Sequence, residues 1–127
     1  MSFILLSFVV YNLRQLSDLS NIPMPKYHKL VRDFIPEIIE KAGKKCSVTI
    51  LSDEDYRNFL EKKLDEELSE YKQNHDLEEM ADLLEVIYAL IKVQGFTPED
   101  LEALRLQKAQ KRGGFEKKLL LKEVFED

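Results

Sequence analysis

A chain of 127 residues with a formal net charge of -5 has the size of a single domain. Hydrophobic residues make up 44% and charged residues 34%, so the chain has enough apolar mass for one core, and its acidic balance argues against a general nucleic-acid binder. Its one cysteine, Cys46, excludes an internal disulfide and suits a reducing cytosol, so we expect a cytoplasmic protein.

The first 23 residues differ from the rest of the chain. Their apolar run, FILLSFVVY, is far shorter than the roughly 20 residues that a membrane-spanning helix needs. It also lacks the preceding basic residues and the clear cleavage site of a signal peptide. We therefore expect residues 1–23 to be a non-core extension and residues 24–127 to form a single helical domain. One hypothesis places the natural start at Met24; the alternative is an extra helix that packs on the domain or on a neighbouring subunit.

The first predicted helix is short and is followed by a predicted strand. Asp33 can cap this helix, Pro36 lies in its first turn and Gly43 can end it. The β-branched run CSVTIL, residues 46–51, is typical of a strand, and residues 116–122 could pair with it. The expected fold is mainly α, an antiparallel helical bundle with a short two-stranded β element.

Three longer helices are predicted between clear start and stop signals. The second helix runs from about residue 53 to 72 after the capping sequence SDED, and QNHD at 73–76 breaks it. The third runs from about residue 77 to 93 and stops before a glycine. The fourth begins at Thr97, which is followed by a proline, and reaches about residue 111.

Acidic residues fall on the expected packing faces of the second and third helices. At about 100° per residue, the apolar stripe of the second helix consists of Leu60, Leu64, Leu68 and Tyr71. Glu67 falls inside this stripe and Glu70 lies at its edge. The packing face of the third helix is marked by Leu83, Val86 and Leu90. Glu79 lies on that face and Asp82 borders it, so four carboxylates point inward or nearly so.

The short connection predicts antiparallel packing of the two helices, which can bring these carboxylates together. Buried like charges must either take up protons or be compensated by a cation. An all-oxygen cluster suits Mg²⁺ or Mn²⁺ better than zinc. The alternatives are an ordinary solvated acidic surface, or neutralisation by Lys29, Arg32 or Arg112. A di-iron site is disfavoured, because neither His28 nor His75 lies three residues after a glutamate.

Basic residues accumulate toward the C-terminus, around a Gly-Gly turn. Residues 101–122 include seven basic residues and two acids. Mg²⁺ usually binds through a few carboxylates together with substrate phosphates, and arginine provides a forked phosphate donor. Carboxylates, a divalent metal and basic groups together indicate a phosphorylated substrate. The alternative for each basic residue is a solvated charge at a helix end, which we prefer for Lys117, Lys118 and Lys122.

Two motifs carry a family resemblance. Glu66, Glu67 and Glu70 form E-E-x-x-E, and Glu79 and Asp82 form E-x-x-D. In that order they resemble the all-α nucleoside triphosphate pyrophosphohydrolase superfamily, with its MazG-like and phosphoribosyl-ATP pyrophosphohydrolase members. The stretches YHKLVRDFIPEII, LEVIYAL and KAQKRGGFEKKLLL resemble a subgroup described as predicted house-cleaning pyrophosphatases for noncanonical nucleotides. Eight residues separate the two motifs, where the MazG pattern commonly has a longer spacer.

The resemblance implies Mg²⁺-dependent hydrolysis between the α- and β-phosphates, which gives a nucleoside monophosphate and pyrophosphate. It implies that the metal, with Mn²⁺ as a substitute, is bound by Glu67, Glu70, Glu79 and Asp82. Glu66 would bind the metal through water or orient the attacking water, so Glu66 and Glu67 are the catalytic candidates. The residues expected to bind the phosphates are Lys29, Arg32, Lys108, Lys111 and Arg112.

The resemblance also implies a homodimer or homotetramer with helices paired across subunits, and no membrane or nucleic-acid partner. The apolar face of LLEVIYALIKV is wide enough for both a core and an interface. Two alternatives remain at this point. One is a phosphoribosyl-ATP pyrophosphohydrolase of histidine biosynthesis, and the other is a non-catalytic helical module that binds nucleotide or metal.

Overall fold

The computed structural model describes residues 28–126, and helices are the only regular secondary structure in that range. The four helices are α1 (Ile35–Lys41), α2 (Asp53–Asn74), α3 (Leu77–Val93) and α4 (Pro98–Arg112). The main packing contact is between α2 and α3, and α4 packs more lightly on α3. The prediction of a mainly helical protein is confirmed. The hypotheses on residues 1–23 and on a start at Met24 lie outside the described residues.

A very short turn joins the two long helices. Helix α2 continues to Asn74, two residues beyond the predicted end, and stops where His75 takes a left-handed conformation with φ of 54°. Asp76 then caps α3, because its side chain accepts a hydrogen bond of 3.1 Å from the backbone N–H of Glu79. Only two residues therefore separate the helices, and so short a link makes them antiparallel neighbours.

Of the three remaining helix starts, two have their predicted caps and one does not. At α2, Oγ of Ser52 accepts a hydrogen bond of 3.2 Å from the backbone N–H of Asp55. At α4, Thr97 and Asp100 form a reciprocal capping box, with hydrogen bonds of 3.1 and 2.9 Å. At α1, the predicted cap Asp33 does not act as one. The N-cap is Phe34, which makes no side-chain capping bond, and the helix instead follows a backbone turn that closes on the carbonyl of Arg32.

The predicted two-stranded β element is not formed in the described part of the chain. Residues 46–51 and 116–122 contain no strand. The β-branched and leucine side chains of both segments are largely open to solvent, including Ile50 and Leu120. A two-stranded pair without a covering surface is marginal in water, so β propensity alone does not produce it. No helix among residues 28–126 combines the length and the hydrophobicity needed to cross a membrane.

Charged side chains fill much of the contact between α2 and α3. The apolar residues buried in residues 28–126 are Ile35, Leu60 and Val86, whereas the buried charged residues are Lys63, Glu67, Glu70, Glu79 and Asp82. The buried stripe of α2 thus runs through positions 60, 63, 67 and 70. The predicted stripe shares Leu60 with it but continues through Leu68, which is 40% exposed. The packing face of α2 is therefore centred on ionisable groups.

Candidate metal centre

Three carboxylates from two helices meet at the α2–α3 contact. Glu67 comes from α2, while Glu79 and Asp82 come from the first two turns of α3, where a spacing of three residues places them on one face. One oxygen of each carboxylate lies within 4.8 Å of the other two. All three residues are buried, with exposed fractions of 1%, 0% and 6%. The antiparallel helix pair thus builds a compact all-oxygen group.

The fourth predicted ligand, Glu70, lies beside this group. It is as buried as Glu67, and its negative charge raises the pKa of both Glu67 and Glu79. Glu79 in turn accepts a hydrogen bond of 3.2 Å at Oε1, which Nδ2 of Asn74 donates. The structure therefore brings three predicted ligands together directly and places the fourth against them.

Burial makes these carboxylates difficult to ionise. It raises the pKa of Glu67 from 4.5 to about 8, with Glu70 adding to the effect and Lys63 opposing it. Burial likewise raises the pKa of Glu79, against the hydrogen bond from Asn74. It also raises the pKa of Asp82, against the nearby guanidinium of Arg32. Near neutral pH the cluster must therefore hold protons or gain a positive charge.

Three basic side chains already pair with the acids. The Nζ of Lys29 lies 3.4 Å from Oε1 of Glu66, and the Nζ of Lys63 lies 3.6 Å from Oε2 of the same residue. Lys63 also lies 3.7 Å from Oε1 of Glu67. Arg32 donates a hydrogen bond of 2.8 Å from Nη2 to Oδ1 of Asp82. Lys29 and Arg32, two of the residues predicted as alternatives to a metal, thus pair with Glu66 and Asp82, and Glu66 lies between two lysines.

The charge balance of the cluster still favours a divalent cation. Its carboxylates are those of Glu66, Glu67, Glu70, Glu79 and Asp82, and its cations are Lys29, Arg32 and Lys63. With every group ionised, five negative charges face three positive ones, and two negative charges remain. In addition, Oε2 of Glu67 and Oε2 of Glu79 are buried without a hydrogen-bond partner. Buried carboxylate oxygens without donors, on a rigid helix pair, suit a hard cation such as Mg²⁺.

The predicted phosphate-binding residues divide into two groups. Lys29 and Arg32 lie at the cluster, and their side chains are 44% and 43% exposed. Lys108, Lys111 and Arg112 are exposed on α4, and none of them takes part in the ion pairs found among residues 28–126. Among these five residues, direct contact with the acids is therefore observed for Lys29 and Arg32.

Sequence reasoning missed two residues of this site. Lys63 lies three residues after Leu60 and four before Glu67, so its position on the buried stripe could have been read from the helical period. A stripe drawn through leucines does not include it. Asn74 was assigned to the break between the helices, and its contact with Glu79 depends on α2 continuing through that residue.

One cavity lies away from the carboxylate cluster. It has a volume of about 550 Å³ between α2 and α3, and its polar lining includes Asp33, Asp53, Tyr56, Glu85 and Lys92. Three acids and one lysine give this cavity a net negative lining, which does not suit a polyphosphate.

Comparison with known proteins identifies no family. No family model matches the chain, and no solved structure matches it. A segment of 44 residues, 35% of this chain, is 46% identical to an uncharacterized protein of Mycolicibacterium smegmatis (strain ATCC 700084 / mc(2)155). The match spans 45% of that protein, less than half of its length.

Proposed function

We propose that this protein is a Mg²⁺-dependent nucleoside triphosphate pyrophosphohydrolase, with the antiparallel all-α bundle of that superfamily. The observation that carries the proposal is the meeting of three buried carboxylates, with one oxygen each of Glu67, Glu79 and Asp82 within 4.8 Å of the others. In this group, Oε2 of Glu67 and Oε2 of Glu79 have no hydrogen-bond donor. The E-E-x-x-E and E-x-x-D motifs, which supply these acids, connect the cluster with the reaction. The substrate class we favour is noncanonical nucleotides, in a house-cleaning role in the cytoplasm.

Glu67, Glu79 and Asp82 would hold the metal, with Glu70 completing the set. When bound, Mg²⁺ supplies charge neutralisation for the phosphates and increases the acidity of a coordinated water. Arg32 keeps one oxygen of Asp82 engaged through a hydrogen bond of 2.8 Å, so the other oxygen has a defined direction. Asn74 orients Glu79 in the same way.

Glu66 would orient the attacking water. Its two oxygens lie near Lys29 and Lys63, and its side chain is 20% exposed, so it is fixed and yet reachable from solvent. A carboxylate held in this way can orient a water and accept its proton as attack on the phosphate proceeds. Attack by this water breaks the phosphoanhydride bond between the α- and β-phosphates and gives a nucleoside monophosphate and pyrophosphate. Lys29 would stabilise the negative charge that develops on the phosphate oxygens.

The proposal includes self-association into a homodimer or homotetramer. Few apolar side chains are buried in residues 28–126, and many large ones are exposed, including Met80, Leu84, Leu104, Leu106, Phe115 and Leu121. Apolar surface on this scale, spread over α3, α4 and the C-terminal segment, is typical of proteins that bury it against another subunit. We expect Lys108, Lys111 and Arg112 to bind the phosphates in that assembly.

The test is hydrolysis of a panel of standard, deoxy, oxidised and phosphoribosylated nucleotides with Mg²⁺, with pyrophosphate measured separately from orthophosphate. We expect pyrophosphate release from noncanonical nucleotides. Glu67→Gln and Asp82→Asn should abolish release while circular dichroism shows the helices intact. Asp65→Asn, an exposed change on α2, should have no effect.

Two outcomes would contradict the proposal. If no nucleotide yields pyrophosphate, the non-catalytic binding module is favoured. If only phosphoribosyl-ATP is hydrolysed, the protein is the histidine-pathway enzyme and the house-cleaning role is wrong.

A further inference from the structure

A second, smaller cavity opens directly beside the carboxylate cluster and has the opposite charge. Its volume is about 190 Å³, far more space than one water molecule needs. Its polar and aromatic lining consists of His28, Lys29, Phe59, Lys62, Lys63 and Glu66. Three lysines against one carboxylate give a net positive lining, whether or not the histidine is charged. This lysine pocket, named for Lys29, Lys62 and Lys63, therefore suits an anion.

Lys63 is the buried lysine of this pocket. It is only 7% exposed, and its Nζ has no hydrogen-bond partner. Its nearest acceptors are the carboxylates of Glu66 and Glu67, at 3.6 and 3.7 Å, beyond hydrogen-bonding distance. An ammonium has three donors, and leaving all of them unused in a buried site is unfavourable. An anion in the lysine pocket would provide the missing acceptors.

The other two lysines are held at the walls of the same cavity. The Nζ of Lys62 lies 4.9 Å from the centroid of the Phe59 ring, a cation–π contact that keeps it on α2 next to the opening. Lys29 is fixed by its ion pair with Glu66. The pocket is therefore formed by α2 and by the segment that precedes α1, so its charges are positioned before any ligand binds.

We propose that the lysine pocket is a diphosphate subsite, which binds the terminal phosphates of the substrate and then the pyrophosphate product. This inference rests on the proposed hydrolase function. Glu66 lines the pocket and Lys63 contacts both Glu66 and Glu67, so the anion subsite and the metal centre share one wall. A phosphate chain in the pocket would extend from the carboxylate cluster, with the departing phosphate oxygens facing lysine ammonium groups.

The experiment measures binding of inorganic pyrophosphate to the full chain by calorimetry, in EDTA and again with Mg²⁺. Lys63→Met should weaken binding about tenfold or more in both conditions, because the lost contact is charge-assisted. Lys62→Met, an exposed change in the same pocket, should weaken binding about threefold and leave the urea midpoint unchanged. Lys72→Met, an exposed change near the end of α2, is the control and should bind like the wild type. Mg²⁺ should still raise the melting temperature of Lys63→Met.

The inference is overturned if the wild type does not bind pyrophosphate in either condition. It is also overturned if Lys63→Met and Lys62→Met both bind like the wild type, or if Lys72→Met weakens binding equally. Loss of the Mg²⁺ response in Lys63→Met, with normal binding by Lys62→Met, would show that Lys63 serves only the carboxylates. If no nucleotide is hydrolysed but the expected order of variants holds, the hydrolase proposal fails and the anion subsite is supported on its own.

Discussion

Replacing Glu67 with glutamine tests the charge balance of the buried cluster. Burial and the charge of Glu70 raise the pKa of Glu67 from 4.5 to about 8. Between these pH values the folded protein retains a proton that the unfolded chain releases, so the free energy of unfolding falls as the pH rises. A pKa difference of about 3.5 corresponds to about 5 kcal/mol at roughly 1.36 kcal/mol per pKa unit. This is an upper limit, because water that enters when the group ionises reduces the penalty.

The assay is urea unfolding of wild type, Glu67→Gln and Asp65→Asn in EDTA, between pH 5 and pH 8. We expect the wild type to lose several kcal/mol over this range, following the raised pKa. Glu67→Gln has lost the titrating group and should decline less, which makes it more stable than the wild type by about 1–4 kcal/mol at pH 8. Asp65→Asn changes an exposed acid on the same helix and should follow the wild type.

The reasoning is refuted if the unfolding free energy of the wild type in EDTA is constant or increases from pH 5 to pH 8. It is equally refuted if Glu67→Gln retains the pH dependence of the wild type. Saturating Mg²⁺ should remove the decline in the wild type, since metal binding needs the ionised carboxylates and compensates their repulsion.

Three further predictions concern metal binding, Asn74 and the subunit interface. Mg²⁺ should raise the melting temperature more at pH 8 than at pH 6, and calorimetry in buffers of different ionisation enthalpy should show proton release at pH 7. Asn74→Ala removes the hydrogen bond that lowers the pKa of Glu79, so Mg²⁺ affinity at pH 7 should fall about tenfold; unchanged affinity in calorimetry would contradict that role. Changing both Leu119 and Leu121 to aspartate should reduce an oligomer to the 14.9 kDa chain in light scattering, whereas an unchanged mass would place the interface elsewhere.

Features that depend on local chemistry could be predicted from the sequence. The capping box at Thr97 needs only residues within four positions, and the inward direction of Glu67 and Glu79 follows from the helical period. The position of Lys63 could not be predicted from the leucines of α2, because a buried stripe placed through leucines assumes that burial follows hydrophobicity. The β element is not formed in the described residues, because a strand requires a partner and propensity does not supply one. The position of the basic residues of α4 relative to the site depends on how α4 packs, which no local pattern encodes.

The two-residue turn at His75 and Asp76 affects how the protein folds. All five acids of the cluster lie within 17 consecutive residues, from Glu66 to Asp82, so they meet through a contact of very low sequence separation. Contacts of this kind form early in folding. The carboxylates would then repel one another already in the folding transition state. We therefore expect Mg²⁺ to accelerate folding as well as to slow unfolding, because the ion would stabilise the transition state as well as the native state.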